Sequence, residues 1–189
     1  QQILDLEKTW GGEIADLDGD GRNEILARSA DDRSIRVLKP GSDGAFAQAA
    51  FLPDPTPGSG DSGPRFVVAD FDGDARNELL VGDADGDLWI YEARPGGAYA
   101  STWQLEGDDA TDARWVGGGV DLDGDGRLEF VVARAFPQEG EPTNGYWGLE
   151  VYSASGPDTY ALEWATPISG VITTGNGIAT GDLDGDGKP

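Results

Sequence analysis

A nine-residue acidic segment occurs four times in this 189-residue chain and constrains its fold more than any other feature. The copies occupy residues 16–24, 70–78, 121–129 and 182–189, and are named loops 1 to 4 below. Loop 1 reads Asp-Leu-Asp-Gly-Asp-Gly-Arg-Asn-Glu, with carboxylates at positions one, three, five and nine. Loop 4 reaches only position eight, at Pro189.

The donor atoms of loop 1 predict a site for a hard cation. The side chains at positions one, three and five (Asp16, Asp18 and Asp20) converge on one point in a tight loop. Arg22 contributes its carbonyl oxygen at position seven, and Glu24 completes the shell at position nine. Because Ca²⁺ takes six to eight oxygen ligands at about 2.3–2.6 Å, this donor set predicts bound calcium. We expect about one ion per complete loop, three or four in all.

The same positions of the other loops give the remaining carboxylate ligands. They are Asp70, Asp72, Asp74, Glu78, Asp121, Asp123, Asp125, Glu129, Asp182, Asp184 and Asp186. An EF-hand would need a glutamate at position twelve, where the chain has Ala27, Val81 and Val132. A plain hairpin turn would explain the glycines but not the acidic ninth residue. We therefore expect loop 1 to be a complete calcium site and loop 4 an unfinished one.

Loop 2 differs from the others at position six, where Ala75 replaces glycine. If that backbone is left-handed, alanine costs on the order of 1 kcal/mol. The sequence therefore predicts that loop 2 is the weakest of the complete sites.

Short runs of apolar and β-branched residues flank each loop and indicate strands. The loops begin 51 to 61 residues apart, a period typical of repeat architectures. One strand precedes each loop, one follows it, and two more come after turn residues, with the third strands at residues 34–38, 87–91 and 148–152. Four antiparallel strands per repeat predict an all-β fold made of β-propeller blades.

The repeats divide the chain into about three full blades and a partial fourth. We assign blade 1 to residues 10–64, blade 2 to 65–114, blade 3 to 115–174 and the start of blade 4 to 175–189. Residues 1–9 are expected to form the outer strand of another blade. Because propellers typically contain four to eight blades, we expect the chain to be part of a larger propeller.

The third repeat has a longer connection between its second and third strands. The additional residues, 136–147, are predicted to form a long loop that ends in Tyr146 and Trp147. Long loops on rigid scaffolds often carry binding function, so we expect these two aromatic residues to contact a ligand. The alternative is a surface insertion that is tolerated without a function.

Composition limits the classes of partner. The net charge of −23 argues against nucleic acids and anionic membranes, which need a basic surface. No apolar run approaches the roughly 20 residues of a membrane-spanning helix, so we expect no membrane insertion. The chain has no His and no Cys, and the carboxylates with a recognisable arrangement are assigned to calcium. We therefore predict that this stretch is not an enzyme.

The pattern Asp-x-Asp-Gly-Asp-Gly-x-x-Glu, followed by an aliphatic strand, resembles the FG-GAP/VCBS repeat family, whose blades also build the integrin α-subunit propeller. The resemblance implies a propeller with Ca²⁺ in the hairpin between the first two strands of each blade. The resemblance also implies that Arg76, Arg127 and Lys188, at position seven of the other loops, are ligands through their carbonyl oxygens. Loop 4 matches the pattern only through Lys188. An extracellular location, secreted or at the cell surface, is a further implication of the resemblance.

Three functions are compatible with these features. The first is a calcium-binding module that recognises a glycan or a protein in adhesion. The second is a non-catalytic or scaffold part of a polysaccharide lyase or hydrolase, since some secreted lyases resemble this family in their propellers. The third is a structural subunit of an extracellular assembly or filament, with self-association through open blade edges.

Overall fold

The computed structural model describes residues 9–29, 33–55, 66–107, 111–138, 141–168 and 178–189. These residues contain strands and turns and no helix, and the strands form three four-stranded antiparallel sheets, which confirms the predicted fold class. The described part of the chain therefore offers no helix with the length and apolarity that a bilayer crossing requires. The outer strand predicted for residues 1–9 lies outside the described residues except for Thr9, which already belongs to the first strand.

Each sheet comprises four strands that are consecutive in the chain and paired in sequence order. Sheet 1 contains β1 (Thr9–Ala15), β2 (Glu24–Ser29), β3 (Ile35–Pro40) and β4 (Phe46–Leu52). Sheet 2 contains β5 (Val67–Ala69), β6 (Glu78–Gly82), β7 (Leu88–Arg94) and β8 (Ala98–Leu105). Sheet 3 contains β9 (Asp112–Val120), β10 (Glu129–Gln138), β11 (Glu141–Gly156) and β12 (Thr159–Ile168). Loops 1, 2 and 3 each join the first two strands of a sheet, as predicted.

The sheets pack against one another through two apolar clusters. The cluster between sheets 1 and 2 contains Leu17, Leu26, Ile35, Val37, Leu52, Phe66, Leu79, Val81, Trp89 and Tyr91. The cluster between sheets 2 and 3 contains Phe71, Leu80, Leu88, Ile90, Ala113, Val116, Phe130, Val132, Tyr152, Ala154 and Tyr160. Sheet 2 contributes to both clusters, which explains why β6 is buried along its whole length.

The first strands of the three sheets face a common space. Residues 13–15, 66–68, 116–118 and 178–180 line one cavity of about 390 Å³. First strands that surround a central space are the arrangement of propeller blades. Among the described residues the three sheets stand in an open row and do not close into a ring.

The sequence predicted a long loop in the third repeat, and this prediction was wrong. The described residues of that connection continue the β10–β11 hairpin. The pairing of these strands runs outward through Ala135↔Trp147, Phe136↔Tyr146 and Pro137↔Gly145, with a register shift at Gln138. The additional residues that pair in this hairpin therefore satisfy backbone hydrogen bonds within the sheet, which an open loop would leave to water.

The first strand predicted for the fourth repeat, at residues 177–180, is not formed over its described residues 178–180. No strand pairs with this segment in the described part of the chain, and an extended segment without a pairing partner is not a strand. The blade boundaries assigned from the sequence stay predictions.

Candidate metal centres in the acidic loops

The loops are held in shape by hydrogen bonds from their own amides to their own aspartates. In loop 2, Asp70 Oδ1 accepts from the Gly73 and Asp74 amides at 2.8 and 3.0 Å. Its Oδ2 accepts from the Ala75 amide at 2.9 Å. Asp74 Oδ1 in turn accepts from the Arg76 amide at 2.9 Å. Equivalent bonds to the first aspartate, and from the seventh amide, recur in loops 1, 3 and 4.

Such tight wrapping requires left-handed backbone at positions four and six. The glycines at position six have φ angles of 83° in loop 1 and 91° in loop 3. Ala75 has a φ of 69° at the same position of loop 2. The backbone of Ala75 is therefore left-handed, a conformation that L side chains resist. This meets the condition under which the sequence predicted a cost at position six.

The ninth residue of each complete loop is a fully buried glutamate. Glu24, Glu78 and Glu129 are 0%, 1% and 1% exposed. One carboxylate oxygen of each, Oε2, accepts a hydrogen bond from the amide of position two of its own loop. These bonds measure 2.9 Å in loop 1, 2.6 Å in loop 2 and 2.5 Å in loop 3. The glutamate therefore ties the start of the second strand back to the start of the loop.

The second oxygen of each glutamate fits a calcium ligand. Among the described residues, Oε1 of Glu24, Glu78 and Glu129 is buried and accepts no hydrogen bond, although the Lys39 ammonium lies 3.8 Å from Glu24 Oε1. A buried carboxylate oxygen without a partner is costly, and a cation bound beside it removes that cost. The donor set consists of carboxylate oxygens, the ligands that Ca²⁺ prefers.

The loops differ in how many carboxylates they bring together. Loop 2 places all four predicted carboxylates with one oxygen each within 4.8 Å of one another, namely Asp70, Asp72, Asp74 and Glu78. Loop 1 brings together Asp16, Asp18 and Glu24 without Asp20, and loop 3 brings together Asp121, Asp123 and Glu129 without Asp125. Loop 4 groups Asp182, Asp184 and Asp186, all exposed and without a glutamate. The carbonyl ligands at position seven stay predictions.

Burial shifts the protonation of the loop glutamates. Burial, together with the nearby charges of Asp72, Asp70 and Asp74 and against the opposing hydrogen bond from the Phe71 amide, raises the pKa of Glu78 to about 8. Burial also raises the pKa of Glu24 and of Glu129. Each site therefore holds a carboxylate whose ionised form needs a counter-cation at neutral pH.

Loop 1 contains a cation of its own, which the acidic motif does not predict. The Lys39 ammonium, from β3, forms a close ion pair with Asp18 Oδ2. It also lies 3.3 Å from Asp20 Oδ2 and 3.8 Å from Glu24 Oε1. Hydrogen bonds to Asp18 and Asp20 outweigh the effect of burial and raise the pKa of Lys39, so the ammonium stays charged.

The two aromatic residues predicted to contact a ligand lie in β11. Trp147 is 8% exposed and packs with Ala133 and Ala135 in a small cluster that Trp115 and Ile178 also contact. Its ring is therefore a packing element in the described structure, and the ligand contact expected of it stays a prediction. The side chain of Tyr146 lies outside what the structure describes, so the contact predicted for it stays a prediction.

Another acidic cluster, in the turn between β6 and β7, was missed by the sequence analysis. Asp83, Asp85 and Asp87 are buried and bring one oxygen each within 4.8 Å of one another. Asp83 Oδ1 accepts from the Asp87 amide at 3.0 Å, and the Asp83 carbonyl accepts from the Ala113 amide of sheet 3 at 2.8 Å. Burial and a hydrogen bond with Asp85 raise the pKa of Asp83 to about 9.

The sequence does contain the signal for this cluster, since residues 83–87 repeat the first five positions of the acidic loops. Position nine of this copy is Tyr91 rather than glutamate. The Asp83 carbonyl connects this turn of sheet 2 to sheet 3 through its hydrogen bond from the Ala113 amide.

The repeats of the chain match a known protein family. The family described as FG-GAP-like repeat matches the sequence three times, over residues 16–81, 70–132 and 121–189. No curated protein matches the chain. Among solved structures the chain is similar to Saccharomyces cerevisiae Sqt1, with 11% identity and a TM-score of 0.42, a likeness too weak to carry an argument. That alignment covers 85% of this chain and 51% of the yeast chain, so this chain spans about half its length. With family matches that extend from the first acidic loop to the last residue, the chain belongs to the FG-GAP-like repeat family.

Proposed function

We propose that this chain is a calcium-binding β-propeller module in which the ion has a structural role. The observation that carries the proposal is the buried Oε1 atom of Glu78 and of Glu129, at the ninth position of loops 2 and 3, which accepts no hydrogen bond among the described residues. Asp70, Asp72, Asp74 and Glu78 would hold the ion in loop 2, with the corresponding residues in loop 3. Bound calcium supplies the positive charge that these closely spaced carboxylates lack.

The residues of each loop connect the metal site to the packing between blades. Glu78 offers Oε1 to the site while its Oε2 holds the amide of Phe71. The Phe71 ring is fully buried in the cluster between sheets 2 and 3. Neutralising the loop therefore stabilises the point at which one blade contacts the next, and metal binding contributes to folding free energy.

Titration calorimetry with Ca²⁺, and with Mg²⁺ for comparison, tests the proposal. We expect calcium to bind and Mg²⁺ to bind more weakly, because Mg²⁺ demands near-ideal octahedral geometry and gives up its water reluctantly. Glu78→Gln and Glu129→Gln should each remove one equivalent of calcium. Glu163→Gln changes an exposed glutamate of β12 and is the matched control. Calcium binding that persists unchanged in both loop variants would refute the proposal.

We further propose that the module acts outside the cell, where calcium is abundant, and binds a glycan or protein ligand rather than catalysing a reaction. Family membership supports the location. The outermost strand of sheet 3 supports the binding role, since Trp164 and Leu162 on β12 are 52% and 51% exposed. Exposed aromatic and apolar side chains on a rigid sheet are typical of interaction sites.

A broad glycan array and a screen of immobilised extracellular matrix proteins test the binding role. Trp164→Ala should abolish any signal that the parent chain gives. Phe51→Ala removes a 46% exposed aromatic ring from the outer strand of sheet 1 and should leave the signal intact. A Trp164→Ala variant that binds as well as the parent chain would contradict a role for β12.

A further inference from the structure

We propose that loop 1 uses Lys39 as its cation and that calcium binding is confined to the later loops. The ammonium group lies among the carboxylates of loop 1, where calcium would bind in loops 2 and 3. This inference rests on the proposed calcium function and differs from the expectation that loop 1 is a complete calcium site.

The strand register brings Lys39 to the site. Ile25 pairs with Leu38 across β2 and β3, so the next step along the antiparallel register sets Glu24 opposite Lys39. Glu24 is the ninth residue of loop 1 and begins β2. A lysine at this cross-strand position extends over the loop, where its ammonium reaches the aspartates as well as the glutamate.

Lys39 contacts three of the four loop carboxylates. Its ammonium pairs closely with Asp18, lies 3.3 Å from Asp20 Oδ2 and lies 3.8 Å from Glu24 Oε1. An ammonium group is a compact charge with three donors, which suits a concave group of oxygens. A calcium ion in the same place would compete for these oxygens and be repelled by the ammonium at close range.

The same cross-strand position has a different charge in the other repeats. Glu78 pairs directly with Glu92 across β6 and β7. In sheet 3, Phe130 pairs with Tyr152, so the next step sets Glu129 opposite Ser153. The position facing the ninth residue is thus cationic in repeat 1, anionic in repeat 2 and neutral in repeat 3. It supplies an internal cation only to loop 1.

The second anion in repeat 2 does not change this conclusion. Glu92 pairs with Arg76 at 2.7 Å and with Arg94 at 3.0 Å. Arg76 also forms a close ion pair with Asp74, but no contact between either arginine and Glu78 is present among the described residues. The buried glutamate of loop 2 therefore still needs a cation, whereas the glutamate of loop 1 has one within 4 Å.

Counting bound calcium in matched variants of the whole chain tests the inference. Lys39→Met should bind one more equivalent of calcium than the parent chain. Arg36→Met is the control, because it removes the same charge from the same strand while its guanidinium contacts Gln48 and the Phe51 ring instead of the loop. Ser153→Lys places a lysine opposite Glu129 and should remove one equivalent.

Glu24→Gln in the parent chain tests the inference even if Lys39→Met or Ser153→Lys fails to fold. In the parent chain it should leave the calcium stoichiometry unchanged, and in the Lys39→Met background it should remove the additional equivalent. Loss of one equivalent on Glu24→Gln in the parent chain would show that calcium fills loop 1 and would overturn the inference while leaving the proposed function intact. Absence of calcium binding in every variant would overturn both.

Discussion

The amide of Phe71 donates a 2.6 Å hydrogen bond to Glu78 Oε2, and the Phe71 ring is fully buried between sheets 2 and 3. Adjacent parts of one loop therefore serve two purposes. The carboxylate belongs to the candidate calcium site, and the residue whose amide it holds packs one blade against the next. Leu17 has the same arrangement with Glu24 between sheets 1 and 2. Charge neutralisation in the loop and packing between blades are therefore physically linked.

Glu78→Gln should affect stability in opposite directions with and without calcium. The glutamine can still accept the Phe71 hydrogen bond, but it contributes no charge to the site. In EDTA at pH 8.5 to 9, the variant should melt at or above the parent temperature, because it removes the need to ionise a buried carboxyl whose pKa is raised to about 8. In saturating calcium it should melt below the parent, with a loss of about 3 kcal/mol if calcium is present at about 100 times its Kd.

Differential scanning calorimetry of the two proteins in both buffers checks this reversal, with Glu163→Gln as the control. A variant that is less stable than the parent by the same amount in calcium and in EDTA would show that Glu78 acts through packing alone.

Phe71→Ala should be among the most destabilising single substitutions in sheet 2. The ring is fully buried and makes edge-to-face contacts with Phe130, at 5.4 Å between centroids, and with Tyr160, at 6.4 Å. Loss of a buried aromatic ring costs about 3–5 kcal/mol. Leu122→Ala, at the equivalent and 36% exposed position of loop 3, should cost less than about 2 kcal/mol. Urea unfolding measures both, and equal losses would contradict the packing role assigned to position two.

Ala75→Gly should stabilise the protein. The φ of 69° strains an alanine, and glycine relieves that strain at the cost of greater freedom in the unfolded chain. The balance favours glycine by about 0.5–1 kcal/mol. Gly126→Ala makes the reverse change in loop 3, where φ is 91°, and should destabilise by a similar amount. Thermal melts in calcium measure the pair, and a destabilising Ala75→Gly would show that the alanine side chain has another role.

Asp83→Asn should reduce the dependence of stability on pH in EDTA. The pKa of Asp83 is raised to about 9 in the folded chain, so its contribution to stability is fully present below the ordinary aspartate pKa and is lost as the pH rises through 9. Asparagine imitates the protonated acid, since it can accept from the Asp87 amide and donate to Asp85. The free energy of unfolding should therefore fall less between pH 5 and 9 in the variant than in the parent. Parallel pH profiles would contradict a protonated Asp83.

The repeat architecture was predictable because one local motif fixes both its period and its strand boundaries. The ninth loop residue begins the second strand of each sheet, at Glu24, Glu78 and Glu129, as the sequence indicated. The third strand of the second repeat, predicted at residues 87–91, is observed as β7, Leu88–Arg94. Such features depend on residues close together in the chain, so the sequence pattern alone reveals them.

The features that escaped prediction depend on contacts between distant residues. Lys39 lies 15 positions beyond Glu24, and only the β2–β3 register shows that its ammonium enters loop 1. The packing of Trp147 was not foreseen either, because extension of β10 and β11 places its ring against Ala133 and Ala135, and the ligand contact expected of it stays a prediction. Burial of this kind is set by neighbouring strands rather than by the residue's own segment.

The most direct test of the central claim is the melting temperature of the chain in millimolar calcium and in EDTA. If buried carboxylates in the loops are neutralised by calcium, the melting temperature should rise with calcium concentration and fall again when the ion is chelated. A melting temperature that is the same in both buffers would contradict the account.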